Sequence, residues 1–309
     1  MKILEIGDLH LSLKKPANRL DDDYIGTILG KLDQIHQIAI QKKCDIIVQV
    51  GDFFDTSVIC DRLKTILIEK LKDWIKPIYA IYGQHDISGH NASTFERSPL
   101  RVLAAAGCLT ILGKSPRTFQ SCPVALYGAS FGQDVPDPQV EEEFNVLVIH
   151  DMIGDKPLFP GHELTRPKSF LKQHPKYDLV LVGDYHYSFQ QEYRGRWMLN
   201  AGAVIRKTIS ERDQKLIPSV KIFDTESKQI ETVALKVAPV DSILNIKASQ
   251  KEKNKNQELE NFIKSLQEEG AGKNVNWESL LLQIYKEKET STEVRQIIDN
   301  TVCKIRGDI

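Results

Sequence analysis

Five short apolar runs, each followed closely by aspartate or histidine, constrain the fold of this chain more than any other feature. They are rich in β-branched residues and almost free of charge, which is typical of strands buried on both faces of a largely parallel sheet. Because ligands bind outside the carboxyl ends of such strands, we expect the polar residues after these runs to converge. The runs are residues 3–6, 46–50, 78–82, 146–149 and 179–182.

The first half of the chain alternates strands with helices. Apolar residues recur at helical spacing over residues 25–39 and 63–74, so each predicted helix lies between two predicted strands. From about residue 108, short strand-like runs follow one another, and residues 224–228 indicate a hairpin turn. We therefore predict an α/β fold in which two sheets pack face to face with helices outside, a four-layer αββα sandwich.

A change in composition predicts a second, smaller domain. The charged, weakly hydrophobic residues 250–257 follow the last predicted hairpin, as is typical of a loop or linker. We predict one large domain over residues 1–238 and a small C-terminal α+β appendage over residues 239–309.

Composition also argues against several classes of protein. The 309 residues carry a formal net charge of −1, so overall charge neither favours nor excludes a nucleic-acid partner. The five cysteines include no C-x-x-C pair, which argues against a disulfide framework and a thiolate zinc site. No apolar run reaches the roughly 20 residues of a membrane helix, and the first apolar run is too short for a signal peptide. We expect a cytoplasmic protein without membrane association.

The residues that follow the five runs are of types that bind metal ions. Asp8 and His10 lie two apart at a strand end, where alternate residues face the same side. Asp52 follows the second run, and its two carboxylate oxygens can bridge two cations. The other candidates are Gln84, His85, Asp86, His150, Asp184 and His186.

Each of these residues taken alone also has an ordinary structural explanation. A capping aspartate or a core histidine bonded to a carbonyl would account for any single case. The same placement at five strand ends favours a shared site instead. We interpret the nearby Asp55 as a helix N-cap rather than as a neighbour of a metal ligand.

The order of the motifs resembles the calcineurin-like metallophosphoesterases. That superfamily shows D-x-H, G-D, G-N-H-D, a lone histidine and G-H-x-H, and within it the chain is most similar to the SbcD-type nuclease subunit of double-strand-break repair. The resemblance covers residues 1–240 well and the appendage loosely. In this chain the motifs read Gly-Asp-Leu-His, Gly-Asp-Phe-Phe-Asp, Gly-Gln-His-Asp, His150 and Gly-Asp-Tyr-His.

The resemblance implies a role for each motif residue. His150 matches a ligand of the second metal, and Asp52 matches the carboxylate that bridges both. His85 matches the histidine that protonates the leaving oxygen, and Asp86 matches a residue that orients its surroundings. The positions that match ligands of the first metal are Asp8, His10, Asp52 and His186.

Two positions depart from the family pattern, and both belong to the second metal. Gln84 stands in place of asparagine, and Asp184 stands in place of the first histidine of G-H-x-H. With Asp8 and Asp52, Asp184 makes three carboxylates facing two divalent ions, which favours Mn²⁺, or Mg²⁺, over zinc. The alternative is that Gln84 and Asp184 bind no metal and the second site is weak or empty.

The resemblance implies a two-metal phosphodiesterase, most simply a DNA exonuclease or endonuclease of repair or recombination. It also implies an SbcC-type ATPase partner and a homodimer. Two alternatives stay open: a phosphoesterase for a small molecule or phosphoprotein, and a non-catalytic scaffold with a decayed second site. The candidate DNA-contacting cations, which could equally lie in solvated loops, are Lys14, Lys15, Arg19, Arg206, Lys207 and Arg212.

Overall fold

The computed structural model describes residues 1–140, 143–158, 163–246, 285, 292, 294–296 and 298. Its strands are β1 (Lys2–Ile6), β2 (Ile46–Gln49), β3 (Ile78–Ala80), β4 (Thr110–Ile111), β5 (Arg117–Phe119), β6 (Cys122–Ala129), β7 (Phe144–His150), β8 (Leu179–Gly183), β9 (Phe189–Tyr193), β10 (Arg196–Asn200), β11 (Ser219–Asp224) and β12 (Ile230–Ala234). The α-helices are α1 (Tyr24–Gln41), α2 (Asp61–Lys72), α3 (Pro99–Ala105), α4 (Pro167–Gln173), α5 (Glu211–Lys215) and α6 (Val240–Ile243).

The strands form two six-stranded mixed sheets. The first sheet has the order β12-β11-β1-β2-β3-β4, and the second has the order β5-β6-β7-β8-β10-β9. Strands β1 to β4 run parallel to one another, as do β6, β7, β8 and β10. The β11–β12 hairpin is antiparallel and turns where the sequence predicts it.

Alternate residues of the central strands face different layers. On β7, Val146 and Val148 pack between the two sheets, while Leu147 and Ile149 pack in the outer core that contains α4 residues. On β2, Val48 belongs to the core between the sheets, while Ile47 belongs to the core shared with α1, α2 and α3 residues. The predicted four-layer αββα fold is therefore confirmed, because helices cover both outer faces of the paired sheets.

The two long helices form where apolar residues recur every three or four positions. Leu63, Leu67 and Leu71 are the buried residues of α2. In α1, the Asp23 side chain caps the first turn by accepting a hydrogen bond from the Gly26 amide at 2.8 Å. The buried face of α1 consists of Tyr24, Ile28, Lys31, Leu32, Ile35 and Ala39. A lysine on this otherwise apolar or aromatic face is unusual, since lysine is seldom fully buried.

The chain divides into two compact units, Met1–Ile243 and Leu244–Ile309. Most of the predicted C-terminal appendage lies outside the described residues. Within the second unit, Arg295 donates a hydrogen bond to the carbonyl of Tyr285 at 2.8 Å. None of the helices among the described residues combines the length and hydropathy needed to span a bilayer.

The strands that carry the polar endings belong to both sheets. Strands β1, β2 and β3 lie side by side in the first sheet, and β7 and β8 are neighbours in the second. Their carboxyl ends meet at one edge of the sandwich, where the ring Nδ1 of His150 lies 2.7 Å from the carbonyl of Val50. The candidate site therefore joins the two sheets.

Candidate metal centre

The structure brings the predicted site residues together at this shared edge. The backbone amide of Asp184 donates to Asp8 Oδ1 at 3.2 Å. The Nε2 atom of His150 lies 3.6 Å from Asp52 Oδ2. The Nε2 atoms of His10 and His186 lie 3.1 Å apart. Residues far apart in the chain, such as His10 and His186 at a separation of 176 positions, thus face one small volume.

Three of these residues have backbone torsions that are uncommon for residues other than glycine. The φ angles are 46° at His10, 49° at Asp52 and 76° at Asp184. Such conformations cost of order 1–3 kcal/mol each and concentrate at functional sites. The conformation of His10 is held in place because the carbonyl of Asp52 accepts hydrogen bonds from the amides of Leu9 and His10 at 3.1 and 2.9 Å.

Gly83 allows the strand ends to approach more closely than any side chain would permit. A Cβ atom at Gly83 would lie 2.2 Å from Asp52 Oδ1 and 2.7 Å from His150 Nε2. Glycine here allows the third strand end to lie against the Asp52 carboxylate.

Two overlapping groups of side chains can each hold a cation. One group is His10, Asp52 and His85, and the other is Asp8, Asp52 and His150, with the ligand atoms of each group within 4.8 Å of one another. Asp52 belongs to both groups, as expected of a bridging ligand.

Several buried polar atoms at this centre have no hydrogen-bond partner. Asp8 and Asp52 are fully buried, and leaving such oxygens unpaired would be costly unless something else satisfied them. Carboxylate and amide oxygens and deprotonated imidazole nitrogens suit a divalent cation. The unpaired atoms are Asp8 Oδ2, His10 Nδ1, Asp52 Oδ2, Gln84 Oε1 and His150 Nε2. The residues present therefore fit bound metal ions.

The protonation states differ among the histidines of the metal-free centre. Burial alone would lower the pKa of His150, but the carboxylates of Asp52, Asp8 and Asp184 raise it to about 10. Burial lowers the pKa of His10 well below its ordinary value. Burial and the charge of Arg212 lower the pKa of His186 to about 4. At neutral pH, His150 therefore carries a proton while His10 and His186 are neutral.

The two central carboxylates are also shifted in opposite directions. Burial opposes ionisation of Asp52, but His150, His10 and His85 outweigh it and lower the Asp52 pKa to about 2. Burial, with the negative charges of Asp52 and Asp184, raises the pKa of Asp8 to about 7. The centre without metal is thus a buried Asp52–His150 ion pair beside a partly protonated Asp8.

A backbone carbonyl fixes the orientation of the His85 ring. Its Nδ1 lies 2.9 Å from the Asp55 carbonyl, so Nδ1–H donates there and Nε2 faces the centre, 3.9 Å from Asp52 Oδ2. The interpretation of Asp55 as an N-cap is wrong, since Cys60 occupies that position of α2. The Asp55 carboxylate instead pairs with Lys207 and lies 3.6 Å from His10 Nδ1.

Asp86 organises the loop that carries Gln84 and His85. Its fully buried carboxylate accepts hydrogen bonds from the backbone amides of Gly83 at 2.9 Å, Phe53 at 3.2 Å and Phe54 at 2.8 Å. Two strand ends of the first sheet are joined through this one side chain. This placement agrees with the orienting role that the family resemblance implies.

The two residues that depart from the family pattern contact each other. The Gln84 amide nitrogen donates to Asp184 Oδ1 at 2.6 Å. A carboxylate only accepts hydrogen bonds, so this contact fixes which end of the amide faces Asp184. The Gln84 carbonyl oxygen, Oε1, is left buried and unpaired, as a metal ligand would be.

The candidate DNA-contacting cations have different surroundings. Arg19 and Arg206 are buried and bind backbone carbonyls, so the interpretation of these two as DNA contacts is wrong. Lys207 pairs with Asp55, and Arg212 donates to His186 Nδ1 at 3.1 Å. Lys14, Lys15 and Lys207 help to line a cleft of about 700 Å³ beside Asp55.

The fold and this centre together define a metallophosphoesterase. The sequence profile of the family described as calcineurin-like phosphoesterase matches residues 1–188. The chain belongs to this family, as its motif order predicts.

Comparison with individual proteins gives more distant likenesses. The chain is 24% identical over 263 residues to the DNA double-strand break repair protein Mre11 of Methanosarcina mazei, an alignment that covers 80% of this chain and 40% of that protein. Among solved structures, an archaeal phosphodiesterase is 16% identical and covers 76% of this chain and all of its own, with a TM-score of 0.41. A single mutant of Vps29 from Entamoeba histolytica is 14% identical, with the same coverage and a TM-score of 0.35.

We expect metal affinity to rise with pH. His150 has a pKa of about 10 without metal and must lose a proton to bind an ion through Nε2, so affinity should increase about tenfold per pH unit between pH 7 and 8. Below the Asp8 pKa of about 7 a second proton competes, and the slope should steepen. Titration calorimetry with Mn²⁺ in buffers of different ionisation enthalpy measures the protons released. An affinity that is constant with pH would contradict this account.

We also expect Gln84 and Asp184 to act as a pair. Gln84→Asn and Asp184→His should each lower the affinity for the second Mn²⁺ by about tenfold, because each breaks the contact that aims Oε1 inward. The double variant, which restores the family pair, should lose much less than the two single effects combined. Mn²⁺ stoichiometry and affinity by calorimetry provide the measurement, and additive losses would show that the residues act separately.

Proposed function

We propose that this chain is a metal-dependent phosphodiesterase that cleaves DNA, as an exonuclease or endonuclease in repair or recombination. The observation that carries the proposal is the set of unpaired, buried metal-ligand atoms where five strand ends meet. The family supports phosphoester hydrolysis. The alignment with an Mre11 protein, whose name refers to DNA double-strand break repair, supports DNA as the substrate. The proposal also includes an SbcC-type ATPase partner, a homodimer and a cytoplasmic location, which the motif resemblance implies.

The proposed ligands fall into two overlapping shells. The first ion would be held by Asp8, His10, Asp52 and His186, and the second by Asp52, Gln84, His150 and Asp184. Two divalent cations bound here would neutralise the phosphate and activate a water molecule. The oxygen-rich set of carboxylates and an amide supports Mn²⁺, or Mg²⁺, rather than zinc.

His85 is proposed as the general acid. Its Nδ1–H is held by the Asp55 carbonyl, so a second proton must reside on Nε2, the atom that faces the centre. When the P–O bond breaks, that proton passes to the leaving oxygen, which departs as an alcohol, and His85 becomes neutral. Asp86 keeps the loop of His85 in place through its three amide contacts.

The cleft beside the centre supports a polyanionic substrate. Lys14 and Lys15 line it within reach of solvent, and Lys207 lies on its inner side beside Asp55. Positive side chains along a groove attract a phosphate backbone without regard to base sequence. The net charge of −1 makes such local clustering necessary for DNA binding.

Substrate and metal preference test the function directly. The full chain should degrade linear DNA faster than a chromogenic phosphodiester, and both faster than a phosphomonoester, with Mn²⁺ giving higher rates than Zn²⁺. A Lys14→Ala, Lys15→Ala double variant should lose DNA cleavage while retaining turnover of the chromogenic phosphodiester. Preference for the phosphomonoester would identify a small-molecule or phosphoprotein phosphatase, and no turnover with any metal would identify a scaffold.

His85→Ala should separate catalysis from metal binding. Removing the proton donor should lower the turnover number by about 10²–10⁴-fold, while Mn²⁺ affinity and stoichiometry measured by calorimetry stay close to those of the unmodified chain. His150→Ala serves as the contrasting variant and should lose both. If metal affinity fell with activity in His85→Ala, then His85 would be a ligand and not the acid.

A further inference from the structure

A cluster of buried cations lies behind the metal centre, where α1 packs on the segment 204–206. Arg19 is 3% exposed, and Lys31 and Arg206 are each 6% exposed. Lysine and arginine are almost never buried to this extent without an anionic partner. The cluster is separate from the proposed metal ligands.

The carboxylate in this cluster, Asp21, forms hydrogen bonds with only one of the three cations. Asp21 receives two hydrogen bonds from Arg19, both at 2.6 Å, and a third from Thr27. Lys31 donates to the carbonyl of Val204 at 2.5 Å, and Arg206 donates to the carbonyl of Leu216 at 2.8 Å. Within the described part of the chain, no carboxylate hydrogen-bonds Lys31 or Arg206, so the cluster has a surplus of positive charge.

The positive charges of the cluster affect the pKa of Lys31. Burial, together with the charges of Arg19 and Arg206, outweighs the opposing charge of Asp21 and lowers the pKa of Lys31 to about 7. The ammonium of Lys31 is therefore only partly compensated by the carboxylate of the cluster. An anion beside it would restore the ordinary charged state.

A cavity adjoins the three cations. It has a volume of about 300 Å³ and is lined by the three cations and by Asp21, with Gly30 on one wall and the exposed Lys236 also contributing. Small-molecule sites begin at about this size. A Cβ atom at Gly30 would meet nothing within 4 Å, so the wall at that point faces open space.

The backbone segment whose carbonyls accept hydrogen bonds from these cations also contacts residues of the metal centre. The amide of Val204 donates to the carbonyl of Asp8 at 3.0 Å, while its carbonyl accepts from Lys31. The carbonyl of Arg206 accepts from Arg19 at 2.9 Å, and the next residue, Lys207, pairs with Asp55. The backbone segment beside the cavity therefore also contacts residues of the metal centre.

We propose that the Arg19–Lys31–Arg206 cavity is a binding site for a phosphate group, either free phosphate or the phosphomonoester of a small molecule. The inference does not depend on the proposed function, since it rests on a different set of residues. A bound phosphate would neutralise the surplus charge. It would also accept hydrogen bonds from the N–H groups of Lys31 and Arg206 that do not donate to carbonyls.

Thermal unfolding of the full chain with a chelator present tests the site without interference from metal-bound phosphate. Sodium phosphate should raise Tm by about 3 °C or more over sodium chloride of equal ionic strength. Adenosine 5′-monophosphate is the second ligand tested, and the larger of the two shifts identifies the source of the phosphate group. Equal Tm values in phosphate, the nucleotide and chloride would overturn the proposal.

Paired variants locate the effect. Gly30→Glu places a carboxylate beside the cavity and should abolish the phosphate-dependent shift, whereas the isosteric Gly30→Gln should retain it. Lys31→Met should also abolish the shift, and Lys114→Met, which removes an exposed lysine, should not. If Gly30→Glu still responded to phosphate as fully as Gly30→Gln, the anion would bind elsewhere and the assignment would be wrong. The Gly30 pair keeps the test decisive even where Lys31→Met fails to fold.

Discussion

The rest of the site depends on the buried contact between Asp52 and His150, which joins the two sheets. Asp52 follows β2 of the first sheet by three residues, His150 ends β7 of the second sheet, and both side chains are buried. Removing one partner from such a pair leaves an uncompensated buried charge, at a cost of about 3–5 kcal/mol. The proton on His150 Nε2 occupies a place that a cation can take. The same geometry therefore stabilises the chain without metal and prepares it for metal.

Much of the fold could be predicted because burial on both faces leaves a strong pattern. The predicted strands at β1, β2, β7 and β8 agree with the structure to within one or two residues, and so do helices α1 and α2. Strands β4, β5 and β9 and helices α3 and α4 were not predicted. They are short, and several lie at sheet edges where only one face is buried, so their periodicity is weak.

The residues that face the candidate site could be predicted from the sequence. The residues that contact and orient them could not. Asp8, His10, Asp52, His85, His150 and His186 all follow apolar strands, which is a local signal. The position of Asp55 depends on Lys207, a residue 152 positions away, and no local pattern reports that pairing. Likewise, the contact that links Gln84 to Asp184 crosses 100 residues and both sheets. The two residues that depart from the family pattern are thus in direct contact, and no local pattern predicts that contact.

The hydrogen bonds around His186 show what metal binding requires of the surrounding cations. Arginine only donates, so the contact from Arg212 makes His186 Nδ1 an acceptor and places the ring proton on Nε2. That proton points at His10 Nε2, 3.1 Å away. If His186 Nε2 were to hold a cation, the ring proton would lie on Nδ1, where it would oppose the donor of Arg212. The two arrangements would exclude each other, so a metal ion held by His186 would require Arg212 to give up this contact. The Nε of Arg212 also donates to Asp213 Oδ1 at 2.8 Å, and that bond would keep the guanidinium near the centre.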